Sequence, residues 1–455
     1  MADADLVLRD GNLVLADGVA PGDVAVIDGR IACIGASLPV TGATEIDAAG
    51  LHVFPGGVDP HVHFNEPGRT DWEGIVSGST ALAVGGFTTY VDMPLNCIPV
   101  TIDVDAFDQK QRAVAASSRV DFGLWAGLVP GSLASLEPLV GRGVMGFKAF
   151  LCDSGIAEFP PLDDATLYEA MRRCAELGSI VLVHAENAAI VGELGRRAIA
   201  AGRLTWNDFA NSRPIIAELE AISRALFFAG ETGCAIHVVH VSNGRGVRLV
   251  ETARQQGVDA TCETCPHYLL LTADDVEPLG AVAKCAPPLR SAAERDGLWA
   301  LIGDGVLDMV ASDHSPCPPE LKDESDFFKA WGGISGCQTT LQLVLAEGWA
   351  RRGIDLPSVA RLTSASAARR FGLPRKGTIR VGHDADLAVL DLATEWLLES
   401  EDLRYRHRQS PYLGRRLQGR VKYTFLRGQT VVMDGDTVGP PAGVLVTPER
   451  TLTRS

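Results

Sequence analysis

The stretch Val58-Asp59-Pro60-His61-Val62-His63-Phe64-Asn65-Glu66-Pro67-Gly68-Arg69 closes an apolar run, Leu51 to Phe54 and then Val58, with two imidazoles spaced i, i+2. On a β-strand that spacing turns both rings to the same side. Two same-side histidines before a Pro/Gly-rich break read as a pair of metal ligands at the mouth of a strand. Two satisfied polar residues at a strand end give the same short pattern, and His-x-His alone does not separate the two. The choice falls to the rest of the chain.

Downstream, apolar runs rich in β-branched residues alternate with helical stretches, each pair about 25 to 50 residues long, which is the βα unit. Strands are expected near 51 to 59, Gly86 to Asp92, Val120 to Leu128, Val144 to Phe150, Ser179 to His184, Cys234 to Val241, Val258 to Cys262 and Val306 to Ala311. Asp163 to Leu177 reads as an intervening helix, with Leu167, Ala170, Met171, Cys174 and Leu177 on one face and two aspartates at its N-terminus. Eight such strands predict a TIM-like (β/α)8 barrel over 54–374, with the active site where the strands end.

The two chain ends follow another grammar. Short alternating strands there are punctuated by Asp-Gly at positions 10, 17, 28 and 434, a hairpin signal. At the C-terminal end the expected strands are Gly377 to Ile379, Ala385 to Leu390, Val421 to Leu426 and Val431 to Met433. Neither set is large enough to stand alone. Residues 1–53 and 375–455 are therefore expected to pair as one small β-sandwich domain.

The chain has 455 residues, enough for a barrel of roughly 250 and a second unit. Its net charge of −16, with both signs interspersed, argues against nucleic acid or an anionic membrane as partner, since either asks for a concentrated basic face. Met-Ala-Asp-Ala-Asp at the N-terminus has no basic region or apolar signal core, and no segment approaches ~18 uninterrupted apolar residues. A cytoplasmic location is expected. Ten cysteines scattered through apolar stretches suit reduced thiols. Cys262-Glu263-Thr264-Cys265 has CxxC spacing, open to a redox or structural-zinc reading, but no second pair follows at zinc-ribbon distance.

On the barrel map, five strands deliver a residue able to bind a divalent cation: His61 and His63 from the first, Lys148 from the fourth, His184 from the fifth, His240 from the sixth and Asp313 from the eighth. Singly, His184 or His240 reads equally well as a satisfied core histidine, and Asp313 before Ser-Pro as a turn cap. Lys148 is the unusual one, because a lysine within an apolar strand is expensive to bury. Its amine must be neutral or modified, and a neutral amine adds carbon dioxide to give a carbamate whose two oxygens can bridge two cations.

At this point the chain resembles a known family, the cyclic amidohydrolases of the amidohydrolase superfamily, and among them the allantoinases. The resemblance rests on residues 61 to 70, Asp92-Met93-Pro94-Leu95-Asn96, Gly146-Phe147-Lys148, Asp153-Ser154-Gly155 with Glu158-Phe159-Pro160, Cys265-Pro266-His267-Tyr268, Pro287-Pro288-Leu289-Arg290, Ser312-Asp313-His314-Ser315-Pro316 and Trp331-Gly332-Gly333-Ile334-Ser335-Gly336. It implies two divalent metal ions, with His61, His63 and Asp313 on one, His184 and His240 on the other, and carboxylated Lys148 between them. Zinc is expected, with cobalt, manganese or nickel also suiting the ligand types. Two such cations activate a water and polarise the scissile carbonyl, and Asp313 is expected to carry the proton to the departing ring nitrogen.

The resemblance also implies a small-molecule substrate and a homotetramer. Dihydroorotases carry an arginine where this chain has Asn65, and the loss of that guanidinium favours an uncharged ring such as allantoin; Arg69, four residues on, tempers that argument. Dihydropyrimidinases and hydantoinases are the alternative, and a few relatives without metal ligands act as non-enzymatic assembly proteins. Neutral-ring enzymes hold their substrate through loop main chain, which points to Ala286 and Gly333, with Ser315 adding a hydroxyl. His237, three residues before His240, reads as structural on the opposite strand face. His267 and His314 are expected behind the ligands, orienting them.

Overall fold

The structure is a computed structural model that describes residues 4–450. Met1 to Asp3, on which the reading of the N-terminus partly rests, and the last five residues of the expected 375–455 unit lie outside the described residues.

Eight parallel strand positions form the barrel. Gly57–Val62, Phe87–Asp92 and Asp121–Leu124 pair in that order, and Ala126–Leu128, Phe147–Phe150, Ile180–His184, Ala235–Val238, Ala260–Thr264 and Met309–Val310 continue it. A parallel bridge between Val62 and His314 joins the last strand to the first. The third strand, expected as one run, is broken at Trp125. There the backbone N–H still reaches Asp92 O at 3.0 Å and the indole donates to Pro60 O at 2.8 Å, so the ladder persists across the break. Helices cover the outside. In Asp164–Glu176, Asp163 caps the first turn by accepting from Thr166 N at 2.7 Å, and Leu167, Ala170, Met171 and Cys174 are buried.

The strand expected near 51 to 59 is two strands. His52–Pro55 pairs antiparallel with Leu387–Leu390, whereas Gly57–Val62 belongs to the barrel. The transfer happens at Gly56 and Gly57, whose N–H groups go to Asp386 O and Gly86 O respectively. A Cβ at Gly56 would meet Thr88 Oγ1 at 2.2 Å and one at Gly57 would meet Phe87 Cδ1 at 2.4 Å. Only glycine lets the chain pass this close from one sheet to the other.

Both chain ends contribute to one nine-stranded sheet, which supplies the small β-domain beside the barrel. Asp10-Gly11 is not a hairpin turn: Ala4–Leu15 is one strand with a bulge there, because both of its halves pair with Gly18–Ile27. Asp10 takes a left-handed φ of 54° and its N–H is held by Asp23 Oδ1 at 2.9 Å. Gly377 to Ile379 is irregular rather than a strand, although Ile379 is buried in the core of this sheet. Among the described residues no helix is long and apolar enough to cross a membrane.

Candidate metal centre

His61 is the penultimate residue of the first barrel strand and His63 lies just beyond its end, both almost fully buried. Their Nε2 atoms face Asp313 Oδ1 at 3.1 and 3.5 Å. Strand pairing explains the meeting: His63 N–H donates to His314 O at 2.7 Å, which places the residues after the eighth strand against the end of the first. Asp59 reinforces the junction by accepting from both His61 N and Ser312 N. Burial pushes its carboxyl up to about 6.

The other two imidazoles form a second group. His184 Nδ1 lies 3.0 Å from His240 Nε2, and the His61 and His240 ring centres are 5.5 Å apart. His184 stacks on Phe150 at 4.5 Å, and its Nε2 is held by Glu186 at 2.9 Å. Burial lowers His63 and His184, and His240 well below the ordinary histidine value, which keeps the rings neutral and their lone pairs available. His240 and Asp313 both adopt left-handed backbone, φ 40° and 44°. That conformation costs a non-glycine residue about 1–3 kcal/mol, and such outliers cluster where side-chain aim matters more than local comfort.

Lys148 is fully buried and its Nζ has no hydrogen-bond partner among the described residues, only the Phe150 ring at 5.2 Å. Burial pulls its amine down to about 8. Four imidazoles, a carboxylate and an orphaned amine around one space fit a pair of divalent cations: these are the donor types such ions take, and the amine has no other partner among the described residues.

All six lie in the wall of one cavity of about 250 Å³, together with Ala286, Ser315 and Gly333. The main chain of Ala286 makes no hydrogen bond among the described residues, nor does Ser315 Oγ. Gly333 is different. Its N–H donates to Lys284 O at 2.8 Å and its carbonyl accepts from Lys322 Nζ at 2.6 Å, so only a second lone pair on that carbonyl is free to meet a ligand. Asn65 lies outside the cavity wall, turned to Pro316 O at 3.4 Å. Arg69 is outside it too, held by Asn96 O and Glu158.

Sequence reasoning missed three residues. Glu263 bonds His61 Nδ1 through one oxygen and His237 Nε2 at 3.0 Å through the other. Burial alone would raise this carboxyl, but His61 and His237 draw it down to about 2. His237, read as structural, therefore backs a candidate ligand at one remove. Arg213 and Lys284 also line the cavity. Arg213 is paired with Glu186, so the guanidinium in the cavity wall is already neutralised. No spacing flagged any of the three, though the charge of Glu263 within CxxC was visible.

His314 accepts from Gly336 N at 3.1 Å through Nδ1 and faces Glu73 at 3.4 Å through Nε2. His267 is fully buried with both ring nitrogens unpartnered, beside Cys265 and Asp313. Burial lowers it to about 4. Among the described residues Cys262 joins no potential ligand group, and all ten cysteines are free thiols.

A family model described as the amidohydrolase family matches residues 52–431. The chain is 54% identical over 450 residues to an allantoinase of Rubrobacter xylanophilus, covering 99% of each chain. It is 51% identical over 447 residues to an allantoinase of Solibacter usitatus, covering 98% of this chain and 97% of that one. Among solved structures it is similar to the L-hydantoinase (dihydropyrimidinase) from Arthrobacter aurescens, with TM-score 0.95, 36% identity and coverage of 98% and 100%. The dihydropyrimidinase from Brevibacillus agri gives TM-score 0.91, 31% identity and 98% coverage of each.

Proposed function

The chain belongs to the amidohydrolase family, and from that premise we propose that it opens the hydantoin ring of allantoin to give allantoate. The observation that supports this most directly is the unpartnered Lys148 amine beside four imidazoles and Asp313 in one cavity. Relatives named allantoinase at 42–54% identity over nearly the whole chain supply the substrate. The hydantoinase reading rests on solved structures of lower identity and is the alternative.

We assign His61, His63 and Asp313 to one cation, His184 and His240 to a second, and Lys148, as its carbamate, to both; zinc suits the donor set. When bound, the pair supplies Lewis acidity and lowers the pKa of a water. Hydrolysis breaks the ring C–N bond, adds the oxygen of water to the carbonyl carbon and leaves a proton on the departing nitrogen. The Asp313 carboxylate, in the cavity wall beside His61 and His63, takes the proton from the water and returns it to that nitrogen. Glu263 and Glu186 hold His61 and His184 from behind. The free main chain of Ala286 and the Ser315 hydroxyl orient the ring, with the Gly333 carbonyl as an additional acceptor.

The residue division 1–53 with 375–455 against 54–374, a homotetrameric assembly and a cytoplasmic location complete the proposal. Parallel hydrolysis assays of allantoin, hydantoin, dihydrouracil and dihydroorotate test it. Allantoin is expected to be the preferred ring, and preference for dihydrouracil would replace the reading with the dihydropyrimidinase one.

A further inference from the structure

Lys284 lines the same cavity as the metal cluster, but its charged neighbours are Lys322, Arg213 and Asp326, none of them a candidate ligand. Among the described residues it makes no hydrogen bond or ion pair with any of the six candidate ligands. Its side chain is buried, its Nζ donates to Ala330 O, and the ammonium sits 4.5 Å from the centre of the Phe209 ring. A lysine has three donors. One is used.

The charged groups around it are already engaged: Lys322 Nζ donates to the carbonyls of Ala281, Trp331 and Gly333. Arg213 is paired with Glu186, and Lys329 with Asp326 at 3.4 Å. Lys284 makes no ion pair among the described residues, and burial, with Lys322 and Arg213 nearby, draws its amine down to about 7. A resident carboxylate partner would have done the reverse. The two unused donors are left for a ligand in a cavity whose wall includes Phe209 and Phe328 and whose other nearby cations, Arg213 and Lys322, are already engaged. A planar, uncharged group with a strong oxygen acceptor fits such a space; a carboxylate does not need it.

We propose that Lys284 and Phe209 form a subsite for the ureido tail of the substrate, with the Lys284 amine donating to the urea oxygen. This rests on allantoin being the substrate. Hydantoin is the same ring without the tail, so the pair of ligands isolates the subsite.

The test is calorimetric titration of both ligands into metal-loaded Asp313→Asn protein, its metal content verified first and its turnover expected to be slowed about 10²–10⁴-fold, with Lys284 retained or changed to Met or Arg. Lys284→Met is expected to weaken allantoin at least tenfold more than hydantoin, and Lys284→Arg, which keeps donors, to restore part of that difference. Equal weakening of the two ligands, or none, overturns the subsite. If dihydroorotate, which carries a carboxylate, depends on Lys284 more than allantoin does, the pocket is an anion site and the ureido assignment falls. Thermal unfolding of each variant verifies that it is folded. Failure of the unsubstituted protein to hydrolyse allantoin would strike the proposed function instead, whereas brisk allantoin turnover with an unchanged affinity ratio would strike the subsite alone.

Discussion

The imidazole of His61 is bonded through Nδ1 to Glu263, and the second oxygen of that carboxylate meets His237 Nε2 at 3.0 Å. An acceptor on Nδ1 fixes the proton there and leaves the Nε2 lone pair pointing at Asp313. Glu263 thus selects the tautomer of His61 that a cation needs, and His237, tied in turn to Thr261 at 2.8 Å, holds Glu263 in place.

Glu263→Gln is therefore expected to weaken the cation held by His61 and His63 by roughly ten- to a hundredfold, the usual cost of losing such a partner. Chelator competition followed by metal analysis reads it directly. Unchanged retention would remove Glu263 from this role.

Lys148→Ala should lower the metal content from two equivalents per chain and abolish turnover, with partial rescue by small carboxylic acids that stand in for the carbamate. Full metal content and rate in this variant would rule the carbamate out. In the unsubstituted protein, stripping the metal should remove activity and adding back a divalent cation should restore it.

Asp313→Asn should keep the fold, seen by circular dichroism, and lose activity by about 10²–10⁴-fold, the range for a lost general base. An amide cannot take up the proton. Near-normal kcat would reassign that step.

Much of this candidate centre was legible because polar residues at strand ends announce themselves: His61, His63, Lys148, His184, His240 and Asp313 each interrupt or close an apolar run, and the fold brings all six to one cavity. Their supports do not. Glu263 matters only because the pairing of Ile236 with Ala260 and of Glu263 with Met309 sets the seventh strand between the sixth and the eighth, and Arg213 and Lys284 reach the cavity from loop and irregular segments with no period to read. In the fold, eight βα units were visible, but the change of sheet at Gly56 was not. An apolar run looks the same whether one sheet or two uses it. Asp10-Gly11 misled for a similar reason, since a bulge and a hairpin share the residues that tolerate positive φ.

Lys284 also makes a statement about stability and pH. Its folded-state pKa, about 7, lies below the unfolded value near 10.5, so between those limits the unfolded chain binds more protons and stability rises with pH. Below pH 7 the charged, buried amine is a full liability. Lys284→Met should consequently stabilise the protein, relative to the parent, most at and below pH 7, and the gap should narrow toward pH 10. Denaturant unfolding of both proteins across that range measures it; a constant gap would show that the amine keeps its proton throughout.

The pairing of His52–Pro55 with Leu387–Leu390 has a consequence for how the chain is born. About 330 residues separate the two segments, and at roughly 5–20 residues per second the ribosome delivers the second strand on the order of tens of seconds after the first. Throughout that interval the nascent N-terminal strands present a raw β-edge beside a barrel that is still growing. A message truncated before codon 387 would release a polypeptide with that edge permanently open, a natural target for chaperones and for proteolytic quality control.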